Sequence, residues 1–388
     1  MEIISRLTNT LEDVQCLADL TNGLEGPYDL GFLYVSSVNP EAHIRLCSRL
    51  KEQLGIKQLL SCSCAGIIGS QEEIERQTAC SLILTKFSDV SLTPFYCDQA
   101  RLDELTTPEK WYSFFDVFPN EKPSFLVLPD PFAIDLNQFL KGVDEAYPGQ
   151  PVIGGLASGA TQAGGNTLIL NGEVYTEGLI GVHLRGNIHV EAFVAQGCRP
   201  IGKSHIVTRG EGNIIHELGG QPFYQVLEET LLSASQQDRK LAQDAIFLGI
   251  VIDEAKKDFK QGDFLIRLLM GLDKESGAGA IADYVKPGQT IQFHIRDAVA
   301  ATEDLNRLLR TQQAKFPNLM PSGALVFSCT GRGENMFHMK NHDIGIIQNH
   351  LGKVAAAGFF SAGEIGPVGG KNLLHGFASS IALFYTKQ

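Results

Sequence analysis

The sequence lacks any apolar run long enough to cross a membrane, since no stretch approaches roughly 18 uninterrupted apolar residues. Its opening residues, MEIISRLTNT, also lack the basic segment and following apolar run of a secretory signal. The eight cysteines are scattered and include no C-x-x-C pair, which argues against a zinc or disulfide framework. We therefore expect a cytoplasmic protein with reduced, mostly buried thiols and no membrane insertion.

The sequence has fewer basic than acidic residues, with 32 lysines and arginines and 44 aspartates and glutamates, which gives a net charge of −12. Such a surface repels phosphate backbones, and no local basic patch offsets it, so nucleic acid is not an expected partner. The chain also has no G-x-x-x-x-G-K-[ST] motif and no G-x-G-x-x-G motif that opens a helix. The sequence therefore predicts no nucleotide cofactor, and we expect no cofactor of any kind.

Length and composition indicate a globular chain of two domains, with 388 residues, 44% hydrophobic and 20% charged. The clearest helix signal is NPEAHIRLCSRLKEQLG, with Asn39 as its cap, Pro40 at its first position and Gly55 as its stop. Several strand-like runs between the helices are apolar throughout, as in strands covered on both faces. We predict an α/β fold: two domains with mixed β-sheets flanked by helices, built from strand–helix–strand units.

A weak repeat supports that prediction. Three segments, residues 32–66, 125–159 and 325–363, each read as a strand, a helix and a second strand that ends in small residues and a glycine. In this alignment Cys64, Ala157 and Ser361 are equivalent. Internal duplication and the ordinary recurrence of such units in α/β proteins both stay open. A glycine-rich polar stretch after Cys198 places the domain boundary near residue 206.

Several longer segments resemble the FIST family. They are PVIGGLASGATQAGGNTLILNGEVYTEGLIGVHLRG, QGCRPIGKSHIVT and the C-terminal block from GRGEN through FFSAGEIGP to LHGFASSIALFY. The resemblance implies an N-terminal FIST-like domain (1–205) and a C-terminal one (206–388), and a sensory or signal-transduction role with small ligands, amino acids among them. Bacterial members are often joined to output modules, and we expect none in this chain. The resemblance therefore implies a downstream protein partner.

The candidate ligand site combines GRGEN with SAGEIGPVGG, since both follow predicted strands. If those strands are parallel neighbours, both loops lie at one sheet edge, where open α/β sheets bind ligands. Arg332 offers a forked donor for a carboxylate, and Glu364 would receive an ammonium group, which suits an amino acid. Glycines let the backbone approach a ligand closely. The full predicted site is Arg332, Gly333, Ser361, Gly363, Glu364, Gly369, Gly370, Asn372 and His375.

The alternative interpretation of these residues is structural: Glu364 caps a turn or pairs with an arginine, and the glycines serve tight chain reversals. Two other classes of function also stay open. One is an interaction scaffold without a ligand, and the other is an enzyme that uses Cys64 or Ser361. GFFSAG does not match the G-x-S-x-G serine motif, however, and no cysteine–histidine pairing can be inferred. We assign no catalytic or metal-binding residue.

Overall fold

The computed structural model describes residues 1–36 and 39–387. It confirms the predicted α/β class, with helices packed on mixed sheets. Ten α-helices lie in the described residues: α1 (Asp13–Thr21), α2 (Pro40–Gln53), α3 (Gln99–Glu104), α4 (Pro108–Phe115), α5 (Leu136–Ala146), α6 (Phe223–Ser233), α7 (Gln236–Ala242), α8 (Ala298–Lys315), α9 (Glu334–Phe337) and α10 (His342–Leu351). None of them is both long and apolar enough to cross a bilayer.

The chain divides into two compact units. The first comprises Met1–Val194, Asn306–Leu374 and Ala378–Gln388, and the second comprises Ala195–Leu305 and His375–Phe377. This division differs from the boundary predicted near residue 206, because the chain from Asn306 onward folds mainly with the N-terminal half. The assignment of 1–205 and 206–388 to two related domains stays a prediction.

Three six-stranded sheets build the first unit. The first has the order β1 (Glu2–Thr8), β6 (Cys80–Lys86), β2 (Leu30–Val35), β3 (Gln58–Ser63), β10 (Leu168–Leu170) and β11 (Glu173–Tyr175). The second has the order β24 (Lys371–His375), β23 (Glu364–Val368), β9 (Val152–Gly155), β8 (Ser124–Pro129), β12 (Leu179–Gly186) and β7 (Val90–Cys97). The third has the order β13 (His189–Gln196), β25 (Ala378–Tyr385), β21 (Gly323–Cys329), β22 (Ala355–Ser361), β4 (Gly66–Ile68) and β5 (Glu73–Glu75).

The second unit contains one seven-stranded antiparallel sheet with α6 and α7. Its order is β14 (Cys198–Glu211), β20 (Thr290–Arg296), β17 (Ile246–Val251), β18 (Phe264–Asp273), β19 (Ala278–Ile281), β15 (Ile214–Leu218) and β16 (Gln221–Pro222). Phe223 at the start of α6 and Phe293 of β20 meet edge to face, 5.5 Å apart, in its apolar core.

The three predicted strand–helix–strand units are present, and each pairs its two strands in parallel. The pairs are β2 with β3, β8 with β9, and β21 with β22. Within α2, Asn39 caps the helix as predicted, because its side-chain oxygen accepts from the amides of Glu41 (3.0 Å) and Ala42 (3.3 Å). The last residue of the predicted first strand, Ser37, lies outside the described residues.

The ends of the three parallel pairs converge on Ser158. Its amide donates to the carbonyl of Ser63 at the end of β3 (3.2 Å), and its hydroxyl donates to the carbonyl of Phe360 near the end of β22. The amide of Ala65 donates back to the Ser158 hydroxyl at 2.9 Å. The segments aligned by the repeat are thus spatial neighbours, and their carboxyl ends share one region of the first unit.

Candidate functional site

The two glycine-containing loops of the predicted site lie at one sheet edge. Strands β21 and β22 are parallel, and their register places Cys329 beside Ser361. The segment that begins at Thr330 and the segment that begins at Ala362 therefore leave the sheet side by side, and the Thr330 amide donates to the Ser361 carbonyl at 2.9 Å. This is the carboxyl edge at which open α/β sheets bind ligands.

Glu364 lies where the chain leaves one sheet and joins another. After β22 the chain bends through Ala362 and Gly363, and β23 then pairs Glu364 with Gly155 of β9. The fit is close, because a Cβ on Gly155 would lie 2.9 Å from the Cβ of Ser361. Gly155, which pairs with Glu364 in the sheet, therefore allows β9 to lie close to the end of β22.

Glu364 itself has no exposed surface. The Ser361 hydroxyl donates to its Oε1 at 2.7 Å, and the amide of Ala378 donates to its Oε2 at 3.1 Å. Burial raises the pKa of Glu364 to about 8, although these hydrogen bonds and the positive charge of Arg332 oppose the shift. At neutral pH the carboxyl group is therefore mostly protonated.

Arg332 is equally buried and forms a two-pronged ion pair with Asp343 of α10. Nε lies 2.8 Å from Oδ2, and Nη2 lies 2.8 Å from Oδ1. The guanidinium also lies 5.1 Å from the ring centre of Phe337. Its remaining terminal nitrogen, Nη1, is buried and has no hydrogen-bond partner among the described residues. One charged donor group in this cluster is thus unsatisfied.

Asp343 is the centre of the network. Besides Arg332, it accepts from the Ser328 hydroxyl (2.9 Å) and from Nδ1 of His342 (2.8 Å). Burial alone would raise the pKa of this carboxyl group, but Arg332 and the His342 hydrogen bond outweigh burial and hold the pKa well below its usual range. The pKa values of Asp343 and Glu364, two carboxyl groups that both interact with Arg332, are therefore shifted in opposite directions.

A hairpin of β4 and β5 packs against the segment that carries Arg332. The amide of Ile344 donates to Glu73 at 2.7 Å, and the amide of Glu334 donates to Glu75 at 2.8 Å. Burial and the charge of Asp343 raise the pKa of Glu73 to about 8. Gly333 has φ of +73°, and a Cβ there would lie 2.2 Å from the Glu75 carboxylate, so this position requires glycine.

The remaining predicted site residues lie elsewhere. Gly369 and Gly370, with φ of +61° and +80°, form the two-residue turn between β23 and β24. The turn begins five residues after Glu364, roughly 17 Å along an extended strand. Asn372 donates to Asp144 (2.6 Å) and accepts from the Val152 amide (2.8 Å). The two glycines therefore form a tight chain reversal, as the structural alternative proposed. The distance of this turn from Glu364 separates Gly369, Gly370 and Asn372 from the Arg332 cluster.

Gly370 and Asn372 do line a different cavity, of about 420 Å³, together with residues of β13 and the start of β8. His375 is buried and is grouped with the second compact unit. The structure thus brings together Arg332, Gly333, Ser361, Gly363 and Glu364. It also adds residues that sequence reasoning missed as site residues, namely Ser328, His342, Asp343 and Glu73.

The two nucleophile candidates, Ser361 and Cys64, are both buried. Ser361 is fully buried, and its hydroxyl contacts the Ser328 carbonyl (3.3 Å) as well as Glu364. Burial raises the pKa of Cys64 well above its ordinary value, and its sulfur lies 3.6 Å from that of Cys62. A reactive cysteine needs the opposite shift.

Comparison with known proteins agrees with this architecture. The FIST N domain model matches residues 29–221, and the FIST C domain model matches residues 224–367. The chain belongs to the FIST family. An uncharacterized protein of Mycobacterium tuberculosis strain H37Rv is 38% identical over 357 residues, which cover 92% of this chain and 91% of the relative. An uncharacterized protein of Mycobacterium bovis is 36% identical over 355 residues, which cover 92% of this chain and 90% of that relative.

FIST domains are associated with sensory signal transduction and with the binding of small ligands. The FIST C match ends at residue 367 and includes both Arg332 and Glu364. It does not include Gly369, Gly370, Asn372 or His375. The cluster that the structure assembles therefore lies within the matched C-terminal domain, and the turn at Gly369 lies beyond it.

Proposed function

We propose that this FIST chain is a sensor that binds a small ligand, of the amino acid class, at the cluster of Arg332, Ser361 and Glu364. The observation that carries the proposal is the buried Nη1 of Arg332, a charged donor without a described partner, near a fully buried glutamic acid. Unsatisfied donors and strongly shifted pKa values are concentrated at functional sites. The position at the carboxyl edge of two parallel strands supports the same reading.

The chemistry of the cluster suits a molecule with both an acceptor and a cation. A ligand carboxylate would accept from Nη1, while Nε and Nη2 keep their bonds to Asp343. A ligand ammonium beside Glu364 would favour the ionised carboxylate and lower its pKa. Because Glu364 is mostly protonated at pH 7, binding of the ammonium would release its proton.

Access requires movement, since Arg332, Ser361 and Glu364 have no exposed surface. The hairpin of β4 and β5 is the natural element to move, because β5 is a three-residue strand at the edge of its sheet. It contacts the site segment through Glu73 and Glu75, and the neighbouring Arg76 donates to Asn335 at 2.6 Å. A ligand that binds only the open form would shift the population toward it and change the surface that a downstream protein reads.

A thermal-shift screen against the common L-amino acids and related metabolites tests the proposal. A ligand at a hundredfold excess over its dissociation constant adds about 2.7 kcal/mol of stability. We expect at least one compound to raise the melting temperature, and the Glu364→Gln variant to lose that increase while it stays folded. Asp144→Asn is the matched control, since Asp144 holds Asn372 and does not contact the cluster. Absence of any shift would favour the scaffold alternative, and a shift retained by Glu364→Gln would place the site elsewhere.

A further inference from the structure

One edge of the third sheet of the first unit is open. Strand β13 stands at the end of the strand order of that sheet, and among the described strands β25 is its single neighbour. An edge strand presents backbone N–H and C=O groups on its free side, where another chain can pair with them. The cavity of about 420 Å³ that Gly370 and Asn372 line lies against this strand.

The residues that line this cavity indicate that it follows the edge of β13. Five consecutive residues, 188–192, line it. Side chains of a strand alternate between two faces, so a cavity against one face would be lined by every second residue. Ile188 and Val190 belong to the apolar core, whereas Glu191, on the opposite face, binds Lys315 of α8 at 2.7 Å. A cavity that reaches both sets of residues lies beside the backbone, on the side that β25 leaves free.

A second cavity, of about 570 Å³, adjoins the first, since His189 and Lys387 line both. Its wall is partly aromatic. The rings of Phe316 and Tyr385 stack 4.7 Å apart, and the His189 ring lies 5.6 Å from that of Phe316. Cavities of about 300–1,000 Å³ hold whole small molecules, so this one has room for a large side chain. We call the two adjoining cavities the β13 groove.

The β13 groove is positively charged, although the net charge of the chain is −12. Three exposed lysines line it, namely Lys122, Lys315 and Lys387, against one acidic residue, Glu191, among the described lining residues. The Glu191 carboxylate is already bound by Lys315 and lies 3.0 Å from Nε2 of His189. The charges of Lys122 and Lys387 therefore favour an acidic partner.

We propose that the β13 groove binds an acidic segment of another protein, which joins the sheet as an extended strand beside β13. The backbone of that segment would exchange hydrogen bonds with the open edge, as in other cases of strand addition. Its acidic side chains would lie beside Lys122 and Lys387, and one aromatic side chain would enter the cavity beside Phe316. The proposal does not depend on ligand binding at Arg332.

Fluorescence polarisation with labelled pentapeptides on the full chain tests this proposal. We expect the amidated peptide EEFEE to bind, and the charge-reversed peptide KKFKK to bind roughly tenfold more weakly or not at all. Two N-methylated forms of EEFEE separate strand addition from charge attraction alone. One is methylated at the phenylalanine, and the other at the second and fourth residues. Since alternate amides of an added strand face its neighbour, one form should lose roughly tenfold in affinity and the other should not.

Two measurements place the peptide in the groove. The backbone amide NMR signals of residues 188–192 should shift when EEFEE is added. Lys387→Glu should weaken the binding of EEFEE severalfold, whereas Lys110→Glu, an equal change of charge at an exposed position of α4, should not.

Three results would overturn the proposal, and all come from the unmodified chain. They are the absence of EEFEE binding, equal binding of EEFEE and KKFKK, and equal affinities of the two methylated forms. In the last case the attraction would be one of charge alone, and the lysines would only protect an open sheet edge from association.

Discussion

Replacement of Glu364 by glutamine should flatten the pH dependence of stability of the first unit. Glu364 keeps its proton in the folded chain up to a pKa of about 8, whereas its ordinary value is 4.5. The unfolded chain releases that proton at a lower pH. The contribution of this group is therefore fully present below pH 4.5 and is lost as the pH rises toward 8.

The magnitude follows from linkage. Inside that window each pH unit changes the free energy of unfolding by about 1.4 kcal/mol per group. The loss for Glu364 between pH 5 and pH 7 is therefore about 3 kcal/mol. Glutamine has nearly the same shape as glutamic acid and does not titrate. The variant should therefore lack this part of the pH dependence of the free energy of unfolding. Glu73 has a similarly raised pKa, and its contribution to the pH dependence of stability is present in both the wild type and the variant.

The single tryptophan makes the measurement local. Trp111 in α4 is buried in the first unit, so its fluorescence reports denaturant unfolding of that unit. Unfolding curves at pH 5, 6 and 7 would be compared for the wild type, Glu364→Gln and the control Glu104→Gln, which alters only an exposed pair with Arg101. If the free energy of unfolding had the same pH dependence in the wild type and Glu364→Gln, this prediction would be wrong, because Glu364 would then be ionised in the folded chain throughout this pH range.

Three further predictions concern packing and reactivity. Arg332→Met should cost about 3–5 kcal/mol in the same unfolding assay, because it leaves Asp343 as a buried unpaired charge, and Asp343→Leu added to it should recover part of the loss. Alanine at Gly369 and Gly370, which adopt positive φ, should cost about 1 kcal/mol each and leave any ligand-induced thermal shift intact. All eight cysteines are buried, so a thiol reagent should label Cys64 and the others at an appreciable rate only after denaturation; rapid labelling of the native chain would contradict the burial.

Structural elements that depend only on local signals and hydrophobic periodicity could be predicted from the sequence. Asn39 and Pro40 define the start of α2, and the apolar runs on both sides of each long helix predict the parallel pairs that the structure contains. Short helices such as α3 and α9, with six and four residues, carry too few periodic positions to be recognised. The compact units also escaped prediction, because the return of the chain after Asn306 depends on long-range packing that has no local signal.

The site was predicted in part for the same reason. Two glycine loops after parallel strands must share a sheet edge, so the proximity of Arg332 and Glu364 followed from the pattern. The partner of Arg332 could have been anticipated, since a buried arginine needs a carboxylate and Asp343 begins the next long helix. Glu73 could not, because it reaches the cluster from a strand some 270 residues away. Gly369 and Asn372 were predicted as site residues because they are close to Glu364 in sequence. The extended strand β23 places them far from it in the structure.

The most direct test of ligand binding at Glu364 is the number of protons released when the ligand binds. The amino acid that gives the largest thermal shift would be titrated calorimetrically into the wild type at pH 7, in two buffers of different ionisation enthalpy. Because the pKa of Glu364 is raised to about 8, we predict that the wild type releases most of one proton per bound ligand and that Glu364→Gln shows no binding heat. Binding without proton release, or with equal release from the wild type and the variant, would contradict it.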